Sequence, residues 1–243
     1  MKWVNFLHFY QPANQQKDIL EAVVNQCYRP LLNGLLTKDA ARLTINISGS
    51  LLELLDRYKF NDVIATISKL HSSGKIEITS TACYHALLPL IDEVEIMRQI
   101  NLNNDLVCKY VGSDVVFNGF FPPEMAINTK LLNIVSKNGY KYVLVDSIAY
   151  KGDSNVLELL NGRRMFKYMS SDLAVFFRDR KPSNIIMGGI ERNSMNINGL
   201  LHEYNDREYL VTAMDGETFG HHRPGLEQAL LSIYDSNVSI GVN

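Results

Sequence analysis

The sequence predicts a parallel α/β fold, a barrel-like arrangement of seven βα units, and three observations carry that reading. Seven short runs rich in Val, Ile, Phe or Tyr recur along the 243 residues, each ending near polar or turn-forming residues. Segments with a helical recurrence of apolar residues lie between them, and a parallel crossover needs such a length of chain. Seven units over about 215 residues leave about 31 residues each, near the spacing of a closed barrel in which eight units take roughly 250. A doubly wound open sheet is the competing topology. No Gly-x-Gly-x-x-Gly follows the first strand, so that alternative lacks its usual support.

The first strand is predicted over residues 2–8. A helix over 17–36 follows, in which Ile19, Leu20, Val23, Val24, Cys27 and Leu31 recur at i, i+3, i+4. A strand over 42–48 leads to a helix over 51–70 with Leu51, Leu54, Leu55, Val63, Ile64, Ile67 and Leu70, stopped by Ser72-Ser73-Gly74. The strand over 75–81 precedes a helix over 93–110. The strand over 115–121 precedes one over 125–138, and the strand over 140–146 a shorter one over 155–161. After the strand over 173–178, Pro182, Gly188, Gly189 and Gly199 interrupt residues 180–204, so a short helix with loops is expected there. A strand over 209–214 and a helix over 225–234 complete the series. No linker, low-complexity tract or repeat divides the chain, so residues 1–243 are expected to form one domain.

Hydrophobic residues at 46% and charged ones at 21% fit a globular chain rather than a disordered one. Lys and Arg number 24 against 26 Asp and Glu, a net charge of -2, which leaves no electrostatic footprint for nucleic acid or an anionic membrane. Neither partner is expected. Cys27, Cys83 and Cys108 show no Cys-x-x-Cys spacing, which argues against a disulfide framework and for a reducing compartment. The opening MKWVNFLHFYQP is interrupted by Asn5 and His8 and does not read as a signal segment. No run of 18 apolar residues suggests a membrane span. A cytoplasmic location is the expectation.

In parallel α/β folds chemistry gathers at the C-terminal ends of the strands. Those ends carry His8-Phe9-Tyr10-Gln11-Pro12, Thr81-Ala82-Cys83-Tyr84-His85, Pro122-Pro123-Glu124, Asp146, Arg178-Asp179 and Asp215-Gly216-Glu217. Two prolines stiffen the approach to Glu124, as suits a nucleophile or a metal ligand; a glutamate favoured in a first helical turn is the other reading. Asp215 ends the apolar run Val211-Thr212-Ala213-Met214, whose desolvation would raise its carboxyl toward the range of a general acid. Glu217 shares the parity of Asp215, so both point the same way if the chain stays extended. His8 and His221-His222 raise the question of a metal, yet no His-x-His or His-x-x-x-His pair occurs, and neither metal nor cofactor is expected. His85 suits a hydrogen bond to a sugar hydroxyl or a carboxylate. His71 and His202 read as surface residues.

Taken in order, these segments resemble glycoside hydrolase family 57. His8-Phe9-Tyr10-Gln11-Pro12 is similar to its first motif, usually His-x-His-Gln-Pro. Gly74-Lys75-Ile76-Glu77-Ile78 through His85 and Leu88-Pro89-Leu90 is similar to the second. Gly119-Phe120-Phe121-Pro122-Pro123-Glu124 resembles the third, whose glutamate is the nucleophile, and Met214-Asp215-Gly216-Glu217-Thr218-Phe219-Gly220 the fourth, whose aspartate is the acid/base. The resemblance implies a seven-stranded (β/α) barrel and retaining chemistry on α-linked glucans, by hydrolysis or by transfer, of the α-amylase or 4-α-glucanotransferase type. It implies Glu124 and Asp215 as the catalytic pair, ~5–5.5 Å apart as in retaining glycosidases. His8, Gln11, Glu77, His85 and Glu217 would hold sugar hydroxyls, with Phe121, or its neighbour Phe120, as a stacking face. Tyr10 stands where the second histidine usually is, and Phe120-Phe121 replace a common tryptophan.

The chain ends at residues 239–243, where a further helical segment usually follows in the family, so a minimal barrel or a fragment is expected. Two other readings use the same rim. One is a metal-dependent polysaccharide deacetylase in which Asp215 and histidines hold the ion. The other is a barrel that binds glucan without turning it over.

Overall fold

The structure is a computed structural model in which residues 1–235 are described. The expectation about residues 239–243 falls outside the described residues. In chain order the elements are β1 (Lys2–Phe9), α1 (Lys17–Val23), α2 (Arg29–Leu36), β2 (Leu43–Ile47), α3 (Gly49–Arg57), α4 (Asn61–Ser72), β3 (Ile76–Thr79) and α5 (Glu93–Tyr110). They continue with β4 (Gly119–Phe120), α6 (Thr129–Lys137), β5 (Tyr142–Asp146), α7 (Ser154–Leu160), β6 (Phe166–Lys167), β7 (Ala174–Arg178), α8 (Arg180–Gly188), α9 (Ser194–His202), β8 (Tyr209–Asp215) and α10 (Leu226–Ile233).

Seven strands, β1 to β5 with β7 and β8, pair with one another in parallel, in two ladders ordered β3-β2-β1-β8 and β4-β5-β7. This is the barrel order, but the ladders do not fuse into one continuous ring. At the β3–β4 seam a single parallel bridge, Ser80 to Phe120, joins them: Ser80 N–H donates to Gly119 O at 2.9 Å, and Phe121 N–H to Ser80 O at 2.9 Å. At the β7–β8 seam side chains stand in for a ladder. Asp179 Oδ2 accepts from Val211 N–H at 3.0 Å, Ser183 Oγ from Ala213 N–H at 3.2 Å, and Arg178 Nε donates to Ala213 O at 2.7 Å. Buried edge groups that would otherwise cost desolvation free energy are thereby satisfied.

Strand alternation separates two cores. The outward residues Trp3, Leu7 and Phe9 of β1 pack with Leu43, Ile45 and Ile47 of β2 under the helices, and the Trp3 indole donates to Thr212 Oγ1 at 2.8 Å. A second outer cluster lies under α5, α6 and α7 around Ile96, Leu131, Val143 and Phe177. The barrel interior is smaller, with Phe6, Phe121, Leu144, Val211 and Ala213 buried together.

Three departures from the sequence expectations have local causes. The strand expected over 115–121 reduces to Gly119–Phe120: Asn118 O is shared between Lys141 N–H at 2.7 Å and Tyr142 N–H at 3.3 Å, and before it the chain turns outward with Val116 exposed. The helix expected over 51–70 divides at Lys59, whose φ of 66° lies in the left-handed region and reverses the chain between α3 and α4. The helix expected over 17–36 is interrupted by a π turn at Val24–Tyr28, where Arg29 N–H donates to Val24 O. Pro30 lacks the N–H that an α-helix would direct at the Gln26 carbonyl, so the wider turn forgoes little. Residues 180–204 form two helices, α8 and α9, and β6 adds an antiparallel pair to β7 with no counterpart in the prediction.

Candidate active site

One inward-facing layer of the barrel sets the floor of the rim. His8 on β1 is in register with Asn46 on β2, Asn46 with Thr79 on β3, and His8 on its other side with Asp215 on β8. Asn46 Nδ2 donates to Thr79 Oγ1 at 3.2 Å and to Thr79 O at 3.3 Å. Its Oδ1 lies 2.8 Å from His8 Nδ1, and His8 Nε2 lies 3.0 Å from Nε2 of His85. His85 reaches in from the loop after β3 with a left-handed φ of 56°. Its ring stacks on Tyr10 at 4.1 Å between centroids, while Phe121 packs 5.0 Å from His8.

Glu124 enters from the loop after β4. It does not open a helix: α6 starts at Thr129, capped by the Asn128 side chain on Leu131 N–H. Glu124 and Met125 instead have φ of 57° and 52° in succession, held by Met125 N–H to Pro122 O at 2.8 Å and Ala126 N–H to Pro123 O at 3.1 Å. Left-handed backbone costs about 1–2 kcal/mol per non-glycine residue, and such strain collects at functional positions. The side chain it presents is 73% exposed, with Oε1 3.9 Å from His85 Nε2.

Asp215, at the tip of β8, is open to solvent. Desolvation by the surrounding walls nevertheless raises its carboxyl above the usual range; the negative charge of Glu124 adds to this, while His222, His85 and Arg178 oppose it. Glu124 and Asp215 thus share one electrostatic environment, and His85 feels both. Arg178 is buried beside them and held by Asp146 Oδ2 at 3.3 Å and Asn184 Oδ1 at 2.7 Å.

Glu217 does not share the outlook of Asp215. The strand ends at Asp215, and a turn over Gly216–Thr218 swings Glu217 beneath the rim, where it is 4% exposed. There it accepts from the Tyr28 hydroxyl and from Gln11 Nε2, the latter at 3.3 Å, and burial pushes its carboxyl up to about 7. Gln11 is occupied at both ends, since its Oε1 accepts from Gln15 Nε2 at 2.9 Å. The π turn puts Tyr28 in place, and Cys27 Sγ on the same turn donates to Gly216 O at 3.2 Å. Glu77 lies apart from this cluster. It pairs in register with Thr44, one layer below Asn46 and Thr79, beside a cavity of about 150 Å³ lined also by Val4, Phe6, Tyr142 and Phe176.

The structure therefore brings His8, His85, Phe121, Glu124 and Asp215 together, sets Gln11 and Glu217 behind them, and leaves Glu77 in the barrel interior. It adds Asn46, Thr79, Tyr10 and Tyr28. Asn46 was visible as an inward-parity polar residue in an apolar strand; nothing local in the sequence ties Tyr28 to Glu217, 189 positions away. Among the described residues no group of three or more His, Cys, Asp or Glu is placed to hold a metal ion, and no helix is long and apolar enough to cross a membrane.

An α-amylase of Pyrococcus abyssi is 26% identical over 228 residues, covering 90% of this chain and 33% of that protein. The crystal structure of a 4-α-glucanotransferase from Thermococcus litoralis superimposes with a TM-score of 0.82 at 22% identity, covering 100% of this chain and 38% of that one. A family 57-type branching enzyme from Pyrococcus horikoshii gives 0.81 at 14% identity, over 100% and 68% of the two chains. The fold is accordingly the (β/α)7 barrel of these structures, and the match spans between 22% and 35% of the length of the curated relatives. With residues 2–230 matching the sequence profile of glycosyl hydrolase family 57, the chain belongs to that family.

Proposed function

We propose that this barrel carries out retaining glycosyl transfer on α-linked glucans, with Glu124 as nucleophile and Asp215 as acid/base. The observation that carries the reading is the unequal environment of two carboxyls at one rim. Glu124 stands exposed on a strained turn, whereas desolvation and the charge of Glu124 raise Asp215. Such an inequality sorts two carboxylates into nucleophile and acid.

The steps follow. A Glu124 oxygen attacks the anomeric carbon while the Asp215 carboxyl gives its proton to the departing glycosidic oxygen. The ester so formed removes the Glu124 charge, and with it one of the two causes that raise Asp215, so Asp215 ionises more readily and stays the carboxylate that the second step needs. It takes a proton from water or from an acceptor hydroxyl, which attacks the ester and regenerates Glu124. His8 and His85 border the sugar bound between the carboxyls, and Tyr10 and Phe121 supply aromatic surface. Gln11 and Glu217 support the loop that carries Asp215.

Relatives bearing the names α-amylase and 4-α-glucanotransferase make maltooligosaccharides the first substrates to test. A chromatographic digest separates the outcomes: shorter products alone mean hydrolysis, and longer ones beside shorter mean transfer. No new product after prolonged incubation would leave a glucan-binding barrel without turnover.

A further inference from the structure

We propose that Asn46 is a positioning residue for this site: through His8 it fixes the tautomer of His85 and places the His85 Nε2 proton between His8 and the Glu124 carboxylate. Asn46 projects from β2 and belongs to none of the motif segments, so the inference rests on hydrogen-bond logic. The Asn46 nitrogen faces Thr79 O, a group that can only accept. Its Oδ1 is therefore the atom that faces His8, at 2.8 Å from Nδ1, and His8 must donate there. Burial, with His85 alongside, keeps His8 neutral near pH 7, its basicity lowered to about 3. A neutral imidazole that donates from Nδ1 has a bare Nε2. The partner at 3.0 Å is Nε2 of His85, which then has to carry the hydrogen. Each bond in the series Thr79, Asn46, His8, His85 thus has one permitted direction.

The end of the series matters because the same His85 nitrogen lies 3.9 Å from Glu124 Oε1. The groups facing His85 are His8 from β1, Tyr10 from the loop after it, Glu124 from the loop after β4, and Asp215 from β8. His8 in turn faces Asn46, Tyr10, Phe121 and His85. Burial lowers the basicity of His85, and Glu124 and Asp215 only partly oppose it. With His8 closed to protonation, any proton gained by the histidine pair goes to Nδ1 of His85, and the resulting ring charge lies beside the nucleophile. An Nε2–H on His85 also prevents its lone pair from meeting the carboxylate. The kinetic consequence rests on the glycosidase reading of Glu124; the tautomers do not.

Long-range proton–nitrogen correlation on the whole chain with 15N-labelled histidine, near neutral pH, reads the tautomers directly. His8 is expected with hydrogen on Nδ1 and a bare Nε2, and His85 with hydrogen on Nε2. Asn46→Leu should abolish the His8 pattern. Asn46→Asp should place a carboxylate against Nδ1, make His8 a cation and force His85 to accept through Nε2. In kinetics, Asn46→Leu should lower kcat/KM about tenfold, the equivalent of one hydrogen bond, and move the acidic limb of its pH profile. Hydrogen on Nε2 of His8 in the unaltered chain would overturn the proposal. So would an unchanged pH profile in an Asn46→Leu protein whose tautomers had changed. Expected tautomers in a chain that turns over no glucan would keep the series and reject the glycosidase reading.

Discussion

At Glu217 burial works against ionisation, and the sign of its effect on stability follows. Its carboxyl rises from 4.5 to about 7 on folding because a buried charge is disfavoured. A raised group stabilises fully below its unfolded value, and that contribution disappears as pH climbs through the folded value. The folded state therefore loses stability between about pH 4.5 and 7, by roughly 3 kcal/mol for a shift of this size. Glu217→Gln keeps an oxygen for Tyr28 and cannot ionise. Its melting temperature should gain on that of the unaltered chain as pH rises across this window, and a difference constant with pH would contradict the assignment. Tyr28→Phe should cost about 1–3 kcal/mol in denaturant melts, since it removes a donor from a buried carboxyl. That Glu217 lies behind the rim was not legible in the sequence. Its parity with Asp215 held only for an extended chain, and the turn at Gly216 is set by what packs under it.

At the scale of elements, the π turn and the loop after β8 fit one another. Gly220 has φ of 115°, and a Cβ placed there would lie 2.0 Å from Gln26 O, the carbonyl that Pro30 leaves without an α-helical donor. Gly74 also has a positive φ, of 67°, but nothing lies within 4 Å of its Cβ position. Gly74→Ala should therefore cost about 1 kcal/mol, the conformational penalty alone, whereas Gly220→Ala should cost several times more and reduce activity by displacing Asp215. Equal losses in parallel urea titrations would refute the contrast. The helices themselves were largely legible, because amphipathic spacing and caps are local; 93–110 agrees at both ends, and Asp92 caps it by accepting from Glu95 N–H at 2.9 Å. The break at Lys59 and the π turn were not, since in both the apolar spacing continues across the irregularity.

The whole molecule depends on how its two ladders meet. Strand count and parallel direction were readable from alternation and crossover length, but the seams were not, because one is a single backbone bridge and the other relies on side chains distant in sequence. Asp179 is the clearest case: it accepts from Val211 N–H, Arg207 Nη1 at 2.7 Å and Asn161 Nδ2 at 3.0 Å, all at the β7–β8 seam. Asp179→Ala would leave the largely covered Arg207 guanidinium and a strand edge without this partner, and should destabilise the chain by about 3 kcal/mol in chemical denaturation. A loss under 1 kcal/mol would mean that the seam is held otherwise. An intact barrel is also what brings Glu124, from one ladder, to Asp215, from the other. The most direct measurement of that convergence is intact-mass and peptide mapping after incubation with a fluorinated, slowly hydrolysed α-maltosyl fluoride. The account predicts one added glycosyl unit, carried as an ester on Glu124 and absent from Glu124→Gln. Turnover without any adduct, or an adduct on another residue, would contradict it.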